Sequence, residues 1–463
     1  MQKLLLWFKE SLPKYLLAAV LIIVPLFPKF PLIPVPGTYV AIRFEDLILL
    51  LLGIIVFIRI LTNLKSFLKD KITIAFIIFF GVNLISLLAG VYITKTVGLQ
   101  LGLFNYVRRI EYLVPFFAVL MLFNKEQVTR NLGYFVKIII IVTLIAFLYG
   151  LGQKYLAFPI IITQNDQYSK GVALRWTPGS HISSTFAGHY DLAAYMVMMM
   201  PILITLLFLL KDKWSKLWLF LSSAGGLWLL INSLSRISQV SYLIATALAL
   251  LLVRKYKALA IVLVVSILFV GMSSSLDARF SRVIDVFYQK VKSISYAVKS
   301  DFVVQAQTQV LPVLRSNLPV PTSTPVPVFE DRSTSIRLNV EWPEAIRAFE
   351  INPFLGTGYS SIGLATDNDF LRMLGETGFL GLTAFLLIFA RVIKLFIKAI
   401  PKINKFEPLE VGFIVGMLGA IVGTFISSTF IDLFEASKFA TIFWFMVGYS
   451  VYLIRIRINE QND

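Results

Sequence analysis

The sequence predicts an all-α polytopic membrane protein with about twelve transmembrane helices and one large extracytoplasmic loop between spans nine and ten. Three observations carry that prediction. Of 463 residues, 57% are hydrophobic and only 15% charged, against about 25% charged in an ordinary globular chain, and the mean hydropathy is +0.80. Apolar runs of spanning length, or near it, recur twelve times. The basic residues then divide unevenly between the two sides that those runs define. This pattern excludes a soluble enzyme on a single anchor. It also excludes a β-barrel, whose strands alternate and give no long apolar runs.

The first run, 15–34, follows a short basic region, but Pro25, Pro28, Pro31, Pro34 and Pro36 occupy the place of a small-residue cleavage site. It therefore reads as a span and not as a removed signal peptide. Further runs fall at 40–58, 72–92, 102–123, 132–157 and 191–210. The tight pair 217–231 and 237–253, split only by Asn232-Ser-Leu-Ser-Arg236, and the run 258–274 complete the first unit, 1–274. Spans at 377–397, 410–431 and 439–454 make the last, 377–463. With both termini in the cytoplasm, the inside segments hold 23 of the 43 basic residues. The net charge of +17 is therefore mostly topology, and a nucleic-acid partner is not expected. Cysteine is absent, which removes disulfides, thiol nucleophiles and thiolate metal sites.

The outside segments are unequal. The stretch 158–190 is moderate, and 275–376 is a loop of about 100 residues. Within the long loop, 279–309 has helical periodicity: Phe280, Val283, Ile284, Phe287, Val291 and Ile294 share one face. Arg279, Arg282, Lys290 and Lys292 surround that face, as suits a helix lying on the membrane interface. The stretch 311–328 carries five prolines and reads as an extended linker. A second helical piece, Ile336 to Glu350, leads into the turn-rich segment Asn352-Pro-Phe-Leu-Gly-Thr-Gly-Tyr359.

Ionisable groups at membrane depth are costly, so each one invites a functional reading. His181 and His189 lie in one outside loop that ends where the span 191–210 begins. His189 and Asp191, with Arg175 as charge partner, could bind an anion or a sugar and accept a proton. Asp191 could equally be only a helix N-cap. Two histidines at this spacing without cysteine are not a zinc pattern, and no metal or cofactor is expected. Arg236, on a short outside turn, either snorkels or binds an anion. Arg108 and Arg109 interrupt the fourth span beside Glu111, which cannot neutralise both; they either form an internal ion pair or line a polar cavity. Asp367, Asp369 and Glu376 stand at the entry of a helix, whose dipole alone would favour them there, or else face the same cavity as catalytic carboxylates.

Four of these pieces, in order between about 170 and 390, resemble the O-antigen ligase and O-antigen polymerase family of bacterial membrane glycosyltransferases. Ser-Thr-Phe-Ala-Gly-His-Tyr-Asp-Leu-Ala-Ala (184–194) is similar to the family's aromatic run ahead of a span. Asn232-Ser-Leu-Ser-Arg236 is similar to its Ser-Arg turn, and residues 352–359 to its Pro-x-x-Gly-x-Gly segment. Asp367-Asn368, nine residues, Gly378, two residues and Gly381 fit its His-Asn-x9-Gly-x-x-Gly signature except at the first position, where Asp367 replaces histidine. In the first motif Asp191 replaces asparagine.

The resemblance implies a metal-independent transferase at the outer face of the cytoplasmic membrane, acting in cell-surface polysaccharide biosynthesis. The donor would be a glycan on a polyprenyl (undecaprenyl-type) diphosphate and the acceptor a sugar hydroxyl on another glycan or glycolipid. The side of the membrane and the charge signs then put Arg236 on the diphosphate, with Arg175, Arg108 and Arg109 as helpers. Asp191 and Asn368 would join the binding surface, and Asp367, Asp369 or His189 would accept the proton. The rival reading is a lipid-linked oligosaccharide flippase or other transporter, for which repeat symmetry and short outside loops are expected and neither is evident.

Overall fold

The computed structural model describes residues 11–29, 32–34, 41–160, 174–271, 335–363 and 365–460. The helices are α1 (Leu12–Leu26), α2 (Phe44–Thr62), α3 (Lys71–Tyr92), α4 (Leu99–Tyr112), α5 (Val114–Leu122), α6 (Lys125–Tyr155) and α7 (His189–Leu209). They continue with α8 (Lys213–Asn232), α9 (Arg236–Leu252), α10 (Tyr256–Gly271), α11 (Trp342–Ile351), α12 (Asp369–Ala399), α13 (Pro408–Ser427) and α14 (Ser437–Asn459). Among the described residues, strand is confined to a two-residue ladder, Ile33–Pro34 with Ala41–Ile42, and one bridge between Ile160 and Leu174.

Each of the twelve apolar runs overlaps a helix, α4 and α5 together forming the fourth. Pro115 in the first turn of α5 lacks the N–H that would continue α4, so the run divides after Leu113. Among the described residues, seven helices (α3, α6, α7, α8, α12, α13 and α14) are long and apolar enough to cross a membrane. Helices α1, α9 and most of α10 are apolar but shorter. The interfacial helix expected at 279–309 and the linker at 311–328 lie outside the described residues. The helical piece expected from Ile336 is a π-helical turn, Arg337–Glu341, running into α11.

Local sequence starts several of these helices. Asp70 caps α3 by accepting from Thr73 N at 3.0 Å, and Asp212 caps α8 from Ser215 N at 2.7 Å. Asn124 and Gln127 satisfy each other's backbone N–H at the start of α6, at 2.8 and 2.9 Å. Packing does the rest. Helices α14, α7 and α13 are the most enclosed. Gly412, Gly416, Gly419 and Gly423 form a bare stripe on α13 where Leu206 and Ile202 of α7 and Ala245 of α9 come against its backbone. On the outside, α2 presents Leu50, Ile54, Phe57 and Ile58, and α3 presents Ile77 and Ile85. So large an apolar exterior fits a lipid solvent and not water.

One end of the bundle gathers the starts of α7, α9, α12 and α14. Ile182 N donates to Asn232 O at 2.9 Å, which sets the histidine loop beside the turn before α9. Lys438, in the first turn of α14, is buried, and its Nζ donates to Pro25 O, Phe27 O and Thr185 O at 3.2, 2.9 and 2.8 Å. Two segments distant in sequence, at 25–27 and at Thr185, are thereby tied to one ammonium on α14.

Candidate functional site

Helix α12 begins at Asp369, eight residues ahead of the apolar run, and is broken at Gly378 (φ 67°). The turn-rich segment 352–359 lies in the break. Thr357 N donates to Gly375 O at 3.0 Å and Gly358 N to Glu376 O at 2.8 Å; in return Phe379 N donates to Pro353 O at 2.8 Å. These bonds replace the helical ones that the break removes, which is how non-helical backbone is tolerated inside an apolar helix. A Cβ on Gly378 would strike the Phe354 carbonyl, and one on Gly356 (φ 68°) would strike the backbone of Glu376. Two motifs that are separate in sequence are therefore one interlocked unit, and residues 360–363 and 365–368 between them are positioned by it.

The loop 428–436 locks the next segment. Asp432 accepts from Thr366 N at 2.8 Å, Asn368 N at 2.9 Å and Arg372 at 3.1 Å. The Asn368 side chain caps α12 by accepting from Phe370 N and Leu371 N at 3.1 and 3.0 Å. Asp369 is buried and accepts from Leu433 N at 2.8 Å and Phe434 N at 3.2 Å. Asn368 and Asp369 thus spend their oxygens on backbone amides, an arrangement that fixes the loop.

Asp367, between Thr366 and Asn368, has left-handed backbone (φ 49°), which turns its carboxylate away from that amide cluster to Arg337. Arg337 Nε and one terminal nitrogen donate to one Asp367 oxygen at 3.0 and 2.7 Å. The same guanidinium reaches the Tyr190 hydroxyl at 3.4 Å and lies 5.9 Å from that ring. The His189 ring is 4.1 Å from Tyr190 and stacks on His181 at 3.8 Å. Arg337 therefore joins the signature carboxylate to the histidine loop. Sequence reasoning passed over Arg337, Asp432 and Tyr190, and also Glu341, one turn on. The only signal for Arg337 was a cation on a helical piece of the outside loop.

Electrostatics distinguish these groups. Burial pushes the Asp367 carboxyl up from its ordinary value, while Arg337 opposes the shift. Burial also works against the charge of Arg337, but Asp367 and Tyr190 raise its pKa overall. Glu341 is pushed up to about 7, first by burial and then by the Asp367 charge. Its Oε2 is buried and, among the described residues, accepts no hydrogen bond.

The other expected residues are placed as follows. Helix α7 starts at His189 with Gly188 as its N-cap, so Asp191 is not the cap; it faces Lys29 at 3.7 Å. Arg108 donates to Ala41 O at 2.9 Å and pairs with Asp46 at 3.4 Å. Arg109 pairs with Glu435 and lies 5.1 Å from the Tyr359 ring. The adjacent arginines are thus matched by two carboxylates, one from the first turn of α2 and one from the loop 428–436, neither of them Glu111. Arg372 joins Asp432, Glu435 at 3.3 Å and Glu376 at 3.4 Å, which places Glu376 in the frame beneath the site. Arg236 opens α9 after the turn that binds the histidine loop. Arg175 is exposed, next to the bridge residue Leu174. Among the described residues no group of three or more His, Cys, Asp or Glu is placed to hold a metal ion.

Comparison with known proteins follows the same segments. Residues 221–386 match the family model described as O-antigen ligase, a stretch that contains the Ser-Arg turn, Arg337, the 352–359 segment, Asp367 and the Gly378 break. No curated protein matches the chain. The ordered motifs, their interlocking around one end of an apolar helical bundle and the family match agree: over residues 221–386 this multi-pass membrane protein is similar to the O-antigen ligase family.

Proposed function

We propose that the chain is a glycan transferase that works at the extracytoplasmic face of the cytoplasmic membrane, crosses it twelve times and has both termini inside. The donor is a glycan on a polyprenyl diphosphate, and the acceptor is a sugar hydroxyl of another glycan or glycolipid. The acceptor oxygen bonds to the donor's anomeric carbon, the bond from that carbon to the phosphate oxygen breaks, and the lipid diphosphate leaves. The acceptor's proton goes to a carboxylate. The observation that carries this reading is the Arg337 bridge, at 2.7 Å to Asp367 and 3.4 Å to Tyr190, which unites two family-like motifs around one carboxylate.

The physical need is for fixed positive charge where the diphosphate departs and for one poised acceptor where the hydroxyl arrives. Arg236 serves the diphosphate, aided by the starts of α7, α9 and α12 at this end of the bundle, whose dipoles favour anions. Arg175 and Asp191 extend the binding surface toward the glycan. Arg108 and Arg109, already charge-matched, hold the frame, as do Asn368 and Asp369 through their backbone bonds. Asp367 orients the acceptor hydroxyl, and His189, two rings away, supports Tyr190. Glu341, one of whose oxygens accepts no hydrogen bond among the described residues, takes the proton.

Mass spectrometry of envelope glycans tests this in a strain lacking the gene and complemented with the natural chain, Arg236→Ala or Asp367→Ala. The natural chain should restore the long or attached glycans that the deletion removes, and neither variant should do so while reaching the membrane at normal levels. Full restoration by either variant removes that residue from the proposal.

A further inference from the structure

At the end of the bundle opposite the site, a cleft of about 320 Å³ opens between the start of α3, the end of α12 and the end of α14. Its charged lining is Lys69, Lys71, Arg391, Lys394, Lys398 and Arg455, with Asp70 the one carboxylate. That carboxylate is already engaged. Arg455 pairs with it at 2.6 Å, and its other oxygen accepts from Thr73 N and Oγ1 at 3.0 and 2.8 Å. Five cations are left facing a concave space with, among the described residues that line it, no further anion to match them. Orientation of the chain needs basic residues at this end, but it does not need them gathered from the start of α3 and the end of α12 into one cleft. Beside the cleft, Leu68, Ile74 and Ile397 expose apolar side chains, a surface for acyl chains immediately next to a pocket for anionic oxygens.

We infer that this cleft binds the phosphate group of an anionic phospholipid, with the headgroup among Lys394, Lys398 and Arg391 and the acyl chains along the exposed apolar faces. Phosphate chemistry follows from clustered ammonium and guanidinium donors. The lipid source follows from the adjoining apolar surface. This site is distinct from the transfer site and does not depend on the reaction assigned there.

Native mass spectrometry of the purified full chain in detergent tests the inference, with phosphatidylglycerol, cardiolipin and phosphatidylcholine as probes. Each cation near an anionic lipid is worth about fivefold in affinity. Arg391→Gln/Lys394→Gln/Lys398→Gln should therefore weaken phosphatidylglycerol and cardiolipin binding by on the order of 100-fold. Phosphatidylcholine should bind weakly to both proteins. Arg254→Gln/Lys255→Gln/Lys257→Gln, which removes equal charge from the turn after α9 and the start of α10, should change little. Equal losses in the two triple variants, or a loss under about threefold in the first, overturn the site. Displacement of bound lipid by millimolar inorganic phosphate overturns the lipid source in favour of a soluble phosphate ester. Lys394 and Lys398 are exposed, and single replacements by glutamine, each expected to cost about fivefold, carry the test if the triple variant folds poorly.

Discussion

Removing the Arg337 guanidinium should uncouple Asp367 from the reaction. Two charge-assisted bonds converge on one Asp367 oxygen at 3.0 and 2.7 Å, and such bonds contribute about 1.5–3 kcal/mol each. The side chains are 11% and 24% exposed, so water screens them in part and the lower end of that range applies. Arg337→Ala should then lose about 3 kcal/mol of orientation, or roughly 150-fold in transfer rate. Arg337→Lys, which keeps the charge but not two converging donors, should fall between. The assay is the initial rate of transfer from a labelled polyprenyl-diphosphate glycan, with Arg337→Ala, Asp367→Asn and the double variant measured together. If Arg337 acts through Asp367, the double variant should be no slower than the slower single one within about threefold. Fully additive losses, or an Arg337→Ala rate within about fivefold of the natural chain, would refute the coupling.

Other outcomes follow from the same geometry. Because Glu341 titrates near 7 and its carboxylate form is the base, the transfer rate should rise as pH rises through about 7, and Glu341→Gln should remove that limb of the profile. The sign for stability is opposite: the folded-state pKa lies above the ordinary 4.5, so protonation favours the folded chain. That contribution is complete below pH 4.5, is lost as the pH rises through about 7, and should be absent from the melting profile of Glu341→Gln. Gly378→Ala combines left-handed backbone with a clash on Phe354 and should cost about 3 kcal/mol. Gly81→Ala, with nothing near its added methyl, should match or exceed the natural melting temperature. Lys438→Met leaves the carbonyls of Pro25, Phe27 and Thr185 without their shared donor and should cost about 3 kcal/mol or more, read as a lowered unfolding midpoint in detergent.

Much of the fold was legible because apolar runs translate directly into helices: α3, α7 and α13 sit almost where the runs 72–92, 191–210 and 410–431 predict. The exceptions have local causes. Pro115 divides one run into α4 and α5, and α12 begins early because Asn368 caps it ahead of the apolar stretch. Charge partners were not legible. Arg108 and Arg109 are adjacent, yet their carboxylates come from Asp46 and Glu435, and nothing in a linear sequence places residue 435 beside residue 109. The site was half visible. Asp367 and His189 stood out as ionisable groups near span entrances. Arg337 did not, because its meaning depends on the Gly378 break and the interlocked 352–359 segment, which set the path of the chain between them. Asp432 was hidden for the same reason: a carboxylate in a short loop acquires a role only when three backbone and side-chain donors converge on it.

The central claim is that a glycosidic bond forms at the Asp367 site. It is tested most directly by reconstituting the purified chain in vesicles with a labelled polyprenyl-diphosphate glycan and a sugar acceptor, then separating products by chromatography. Formation of a labelled glycan joined to the acceptor and freed from the lipid diphosphate by the natural chain, and its loss in Asp367→Ala, is the predicted result. Label that crosses the bilayer still attached to its lipid, with no new glycosidic bond, would contradict the account and favour a flippase.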